Sequence, residues 1–398
     1  MREMPAQPSL PAYGSRSLAE VVPSLLAALG ASRFANTLEV PAARAAVLLV
    51  VDGLGWEQLL AAHDDAPFLA RAAASAGPIT SGYPASTATS LAMLSTARPP
   101  IAHGLTGYTM AAPGLGVAMN NLAWTTHGPG GRDLRAELPP ETVQPLPTVF
   151  ELAAAAGVAM AGVGPAEHRG SGLTRAILRG GRYVGVEPDD VDGAIVGAVS
   201  AEVGGPGQRA VYAYDPQLDA AGHRHGPGSK PWRASLRRID GIAARLAGSL
   251  PLDAILAVTA DHGMVDLGGP DAVRLDVADR PDLAAGVRFL AGEARARHVH
   301  ANPGEADAVL ARWRDALGGA AWVVARDEAI ERGWFGPPAD LREPVRERIG
   351  DVVAAAAGPV GVFQRRVDPG EASLVGHHGS LTSAEQLVPW IVVRGGAA

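Results

Sequence analysis

The run Ala45-Ala46-Val47-Leu48-Leu49-Val50-Val51 is apolar at every position and stops at Asp52-Gly53-Leu54-Gly55. A strand packed on one face alternates apolar and polar residues. An apolar run without alternation fits a strand covered on both faces, as parallel strands between two helix layers are. The pattern recurs along the chain. Val158-Ala159-Met160-Ala161-Gly162-Val163 follows a helical stretch from Pro147 to Ala156, with its proline at the helix start. Arg209-Ala210-Val211-Tyr212-Ala213-Tyr214 ends in Asp215, and Ala254-Ile255-Leu256-Ala257-Val258-Thr259-Ala260 ends in Asp261-His262-Gly263-Met264. Helices are expected over Asp189 to Val203 and over Pro231 to Ser249, where Leu236, Ile239, Ile242, Ala243 and Leu246 recur near the helical period. Alternating strands and helices predict an α/β fold: a doubly wound, mostly parallel sheet with helices on both faces. Ligands of such sheets bind in the crevice beyond the carboxyl ends of the strands.

The remaining segments fit around this core. Leu18 to Gly30 reads as a short amphipathic helix ending at glycine. Pro78 to Gly82 reads as a strand leading into Tyr83-Pro84-Ala85-Ser86-Thr87, and the apolar run Leu91 to Thr96 is helical. If Thr87 opens that helix, its hydroxyl and the free backbone N–H groups make a place for an anion; an ordinary Ser/Thr cap reads the same way. Gly104 to Gly131 is rich in glycine and low in charge, as loops and short strands are. After Met264 the character changes. Val287-Arg288-Phe289-Leu290, Arg297-His298-Val299-His300 and Trp322-Val323-Val324 are short strands around a helix from Glu305 to Leu317. These predict a small inserted α+β cap over 265–370, with 1–264 and 371–398 forming the core. Val388 to Val393 supplies a last strand.

Composition excludes several chemistries. The 398 residues contain no cysteine, which removes disulfides, zinc-thiolate sites and cysteine nucleophiles, so any metal must be held by His, Asp or Glu. A net charge of -7 argues against stable nucleic-acid binding, which depends on clustered Lys and Arg neutralising phosphates. Residues 1–17 lack the apolar core of a signal peptide, and no run reaches the ~20 apolar residues of a membrane span. A cytoplasmic protein without membrane contact is therefore expected; the oligomeric state is not readable.

Asp52, Asp219 with His223, Asp261 with His262, and His378 all stand at strand ends or in the loops beyond them. Asp52 alone could equally cap a helix from Glu57 to Ala62. Asp219-x-x-x-His223 would set a carboxylate and an imidazole on one side of a helical turn. Together these residues supply three carboxylates and three imidazoles, a donor set suited to two divalent ions, zinc being the expected one. Ions of such a pair sit ~3.5–4 Å apart and can stabilise attacking and leaving oxygens of one displacement. A threonine hydroxyl is a poor nucleophile at neutral pH and needs such activation.

In order along the chain, Val50-Val51-Asp52-Gly53, Tyr83-Pro84-x-x-Thr87, His103-Gly104-Leu105, Asp219-x-x-x-His223-x-x-Gly226-Pro227, Thr259-Ala260-Asp261-His262-Gly263-Met264 and His378-Gly379 resemble the motifs of the alkaline phosphatase superfamily. They look most like its nucleotide pyrophosphatase/phosphodiesterase branch. The resemblance implies one ion on Asp219, His223 and His378, and another on Asp52, Asp261 and His262, with Thr87 as nucleophile and ligand at the second. His378 is chosen over His377 because the family's ligand directly precedes glycine; His225 and His377 are then neighbours, and His103, His298 and His300 structural. It implies a two-metal hydrolase cleaving small phosphodiesters or nucleotide pyrophosphates through a phospho-threonine.

Two positions depart from the family. Tyr108 stands where an asparagine usually binds a phosphoryl oxygen, and is read as a catalytic substitute whose phenol could donate instead. Ser86-Thr87-Ala88-Thr89 lacks the usual Phe-Pro after the nucleophile, which leaves Thr89 as an alternative. The competing functions are a phosphomonoesterase, phosphonate hydrolase or phosphate-transferring mutase of the same superfamily and, in another class, an inactive zinc-stabilised binding protein.

Overall fold

The computed structural model describes residues 7–187 and 191–397. Seven strands form the central sheet, in the spatial order Gly77–Thr80, Leu387–Arg394, Ala254–Thr259, Ala45–Val51, Arg209–Asp215, Ala159–Pro165 and Arg182–Val186. From Ala254–Thr259 to Arg182–Val186 neighbouring strands are parallel. Leu387–Arg394 runs antiparallel to both its neighbours. The sheet is thus the mostly parallel one that the apolar runs predict.

Ala45–Val51 lies in the middle and is buried at every residue. Successive side chains point to opposite faces, so complete burial means that both faces are covered. Lys230–Ser249 buries Trp232, Leu236, Ile239, Ile242, Ala243 and Leu246, the stripe read from its period. Val149–Ala155 begins at a capping box in which Thr148 accepts from Glu151 N and the Glu151 side chain accepts from Thr148 N. The helix expected over 189–203 is seen as Val191–Val203; residues 189 and 190 lie outside the described residues, as do 1–6 of the N-terminal segment.

Register brings the functional ends together. Val51 pairs with Asp215 and Val50 with Thr259, so Asp52, the turn after Asp215, and Asp261 leave the sheet along one edge.

A second sheet is antiparallel, in the order Val287–Glu293, Ala296–Ala301, Val352–Ala356, Ala321–Ala325. Ala306–Leu317 covers it with Val309, Trp313 and Leu317. A three-stranded sheet of Thr109–Ala111, Ala118–Asn120 and Thr125–Thr126 lies in the glycine-rich section. The second sheet's surroundings meet the core through aromatic packing: Tyr83 lies edge-on to Trp334 and Phe335, with ring centroids 5.2 and 5.1 Å away. Arg295 and Glu385 add a buried ion pair at 2.6 Å. No helix among the described residues is long and apolar enough to cross a membrane.

Candidate metal centre and nucleophile

The helix Thr87–Thr96 begins at Thr87 itself. Ser86 precedes it in an extended conformation and makes no side-chain cap bond. Thr87 Oγ1 lies 3.2 Å from His262 Nε2, so its hydroxyl points across to the end of the Ala254–Thr259 strand. Asp52 is not a helix cap either, because Gly55 holds that position for Trp56–Ala61.

Two groups of donor atoms lie within 4.8 Å of one another: Asp52, Asp261 and His262, and Asp219, His262 and His378. His262 is common to both and stacks on His378 with ring centroids 3.6 Å apart. His223 stands beside the second group. Asp219 and His223 lie one turn apart on Gln217–His225, with His223 Nε2 3.2 Å from Asp219 Oδ2, and the His223 ring is 5.1 Å from that of His378. All six residues implied as ligands by the sequence therefore stand close to one another.

Each imidazole is oriented in the same way. Nδ1 faces a backbone carbonyl: Gly376 O at 2.8 Å for His223, Gly263 O at 3.1 Å for His262, and Ala85 O at 2.8 Å for His378. A carbonyl only accepts, so Nδ1 carries the hydrogen and Nε2 keeps its lone pair for an ion. The carboxylates also leave capacity unused. Asp52 Oδ1, Asp219 Oδ1 and Asp261 Oδ2 are buried without a hydrogen-bond partner. Buried polar atoms normally find partners, and these three converge where the imidazole lone pairs do. The residues present thus fit divalent cations.

Electrostatics agrees with that fit. Burial, then the charges of Asp261 and Asp219, push the Asp52 carboxyl well above its ordinary range. Burial raises Asp261 as well, opposed by His262. Burial, together with His262 and His223, drives His378 well below the usual imidazole value. Low-dielectric surroundings and crowded like charges make each charged form unfavourable, and a bound cation reverses this for the carboxylates.

Tyr108 borders the same cleft but is engaged elsewhere. Its hydroxyl donates to Asp368 Oδ2 at 3.2 Å and accepts from Asn120 Nδ2 at 2.8 Å. Its one hydrogen is therefore already given to Asp368. His377 turns aside, with Nε2 3.1 Å from Leu374 O and its ring against Phe363, and His225 is exposed. His103 is fully buried, where burial lowers its pKa to about 3, and its Nδ1 accepts from Leu105 N. His298 packs edge-on to Phe335 and His300 stacks on Phe289. Thr89 is fully buried and borders neither cavity beside Thr87.

Three contributors were not read from the sequence. Tyr214 donates its hydroxyl hydrogen to Asp52 Oδ2. Glu293, at the end of its strand, lies 3.6 Å from His378 Nδ1, and Asp368 holds Tyr108. Tyr214 had a signal, since it stands directly before the strand-end Asp215; Glu293 and Asp368 had none, because they come from segments without a motif.

A mostly parallel α/β sheet with Asp/His clusters along its carboxyl edge and a threonine at a facing helix start defines a phosphoester hydrolase of the alkaline phosphatase superfamily, whose members are metal-dependent. More particularly, the chain belongs to the type I phosphodiesterase/nucleotide pyrophosphatase family, whose model matches residues 46–381. No curated protein sequence matches. Among solved structures, phosphonoacetate hydrolase from Sinorhizobium meliloti, in complex with phosphonoformate, is similar at 21% identity over 89% of this chain and 91% of that one, with a TM-score of 0.65. Murine ectonucleotide pyrophosphatase/phosphodiesterase 5 is similar at 17% identity over 87% of each chain, with a TM-score of 0.63. Its inactive threonine-to-alanine form, in complex with AMP, is similar at 16% identity over 88% of each chain, with a TM-score of 0.61.

Proposed function

We propose that the chain hydrolyses phosphodiester or nucleotide pyrophosphate bonds through a phospho-threonine on Thr87. The observation that carries this is the placement of Thr87 Oγ1 at a helix start, 3.2 Å from His262 Nε2 and beside carboxylate oxygens without partners. Asp219, His223 and His378 would hold one zinc ion, and Asp52, Asp261 and His262 a second. Ions bound there would favour the ionised Thr87 hydroxyl and offset phosphoryl charge.

The steps then follow on this chain's own atoms. Thr87 Oγ1 attacks phosphorus, the Oγ–P bond forms, and the P–O bond to the leaving group breaks with its electron pair. The proton lost from Thr87 ends on the departing oxygen. Water next attacks the phosphorus, the Oγ–P bond breaks, the phosphate product leaves with the water's oxygen, and a proton from that water restores the Thr87 hydroxyl. The helix start aims backbone N–H groups at phosphoryl oxygens. Segment 265–370 acts as a cap that chooses the leaving group; Glu293 and Asp368 from it line the cavity bordering Thr87, which supports that role.

Acid quenching during turnover of bis-p-nitrophenyl phosphate, followed by mass spectrometry, should find a p-nitrophenyl phosphoryl group esterified to Thr87. Turnover without any such adduct, or with one on Thr89, would reject the assignment. Rates on p-nitrophenyl phosphate measured beside it separate diesterase from monoesterase.

A further inference from the structure

Among the described residues, Thr87 borders two cavities that differ in chemistry. The first, about 270 Å³, is lined by Leu91, Leu122, Val163, Leu173, Ile177 and Tyr212, and reaches the centre at Asp52 and Asp219. The second, about 340 Å³, carries Glu293, Asp368 and Glu371. Thr87, Leu122 and Asp219 border both. No lysine or arginine among the described residues lines either one.

Several polar groups of the first cavity are already paired within the protein. Tyr183 donates to Pro165 O, Tyr214 to Asp52 and Ser171 to Thr174. Tyr212 Oη is buried without a partner, the one such group among the described residues away from the metal-centre end of the cavity, where Asp52 Oδ1 and Asp219 Oδ1 are also unpaired. His168 borders the space, and burial lowers its pKa, which disfavours the charged imidazolium. A nucleobase seated here would leave several polar edge atoms unpaired in an apolar surrounding, at a cost for each. A hydrocarbon group would leave none. Size permits one: an apolar cavity of roughly 150 Å³ already takes benzene.

Resting on the phospho-threonine reading above, we propose that the first cavity seats an uncharged aryl or alkyl arm of the substrate, so that phosphodiesters or phosphonate esters with such an arm are cleaved in preference to nucleotides and phosphoanhydrides. The occupant is part of the substrate because the cavity ends on the nucleophile. A phosphoanhydride brings further negative charge, for which the first cavity has no cation and the second has carboxylates; Arg297 pairs with Glu371, while Asp368 accepts from Tyr108.

Binding of methyl-, butyl- and phenylphosphonate and of AMP to the zinc-loaded Thr87→Ala protein reads the cavity without turnover. Burying the added methylenes should make butylphosphonate at least about tenfold tighter than methylphosphonate. Phenylphosphonate should bind more tightly than AMP. Adding Leu122→Asp, at a position 40% exposed and so replaceable without unfolding, should compress the series while melting temperature and zinc content hold. Equal or undetectable affinities across the phosphonates, or tighter AMP, overturn the proposal. Turnover of bis-p-nitrophenyl phosphate by the unmodified protein, measured alongside, tests the hydrolase reading separately.

Discussion

Tyr214 donates its hydroxyl hydrogen to Asp52 Oδ2, which leaves Oδ1 as the oxygen of that carboxylate without a partner. The phenol fixes which oxygen is free and how the carboxylate is turned. Tyr214→Phe keeps the ring and removes that restraint. Groups that orient a ligand in this way typically change metal affinity by about 10–100-fold when lost. Zinc affinity by chelator competition should fall by that order, and an unchanged affinity would show that Asp52 is held by packing alone.

Thr87→Ala should abolish turnover while zinc content stays at that of the unmodified protein. Thr87→Ser keeps a hydroxyl at the same helix position and should retain measurable activity, lowered by the freer rotation of the unbranched side chain. Full activity in the alanine variant would assign the nucleophile elsewhere.

Chelation should lower the melting temperature, and by more at pH 8 than at pH 5. Asp52 and Asp261 have carboxyls raised by burial in the ion-free protein. A raised folded-state value contributes stability that is complete below the unfolded value of ~3.9 and is lost as pH rises through the folded value. The ion-free protein therefore weakens with rising pH, while ion binding gains from deprotonated ligands. Ions at about 100 times their Kd would add ~2.7 kcal/mol per site. Calorimetry at the two pH values checks the sign; a larger chelation effect at pH 5 would contradict it.

Arg295 and Glu385 are both almost fully buried and pair at 2.6 Å, with a second contact at 3.0 Å. Arg295 also donates to Val360 O at 2.8 Å, and Glu385 accepts from Ser380 N at 2.9 Å. Removing one partner of a buried pair typically costs 3–5 kcal/mol, because the other charge is left unmatched. Glu385→Ala should lower stability by about that amount in denaturant titration. A change below ~1 kcal/mol would mean that water replaces the carboxylate.

The central strands were legible because complete burial erases alternation, and the clustered Asp and His positions because each follows such a strand or carries a spaced motif. Arg182–Val186 was not legible: it is an edge strand, mostly part-exposed, with a glycine inside it. Glu293 and Asp368 could not be read either, since their closeness to Thr87 arises from how separate sheets pack, a long-range relation that local pattern does not encode. Tyr108 shows the same limit. Its chain position is that of a phosphate donor, yet Asp368, 260 residues further on, receives its hydrogen.

The packing of Tyr83 against Trp334 and Phe335 bears on how this enzyme could be re-engineered. Tyr83 stands four positions before Thr87 and is fully buried among those rings. A graft that exchanged the surrounding segment for that of a relative would remove the wall supporting the loop before Thr87. Modular swapping of specificity elements would then disturb the reaction centre too, unless Tyr83, Trp334 and Phe335 travelled together as one unit of design.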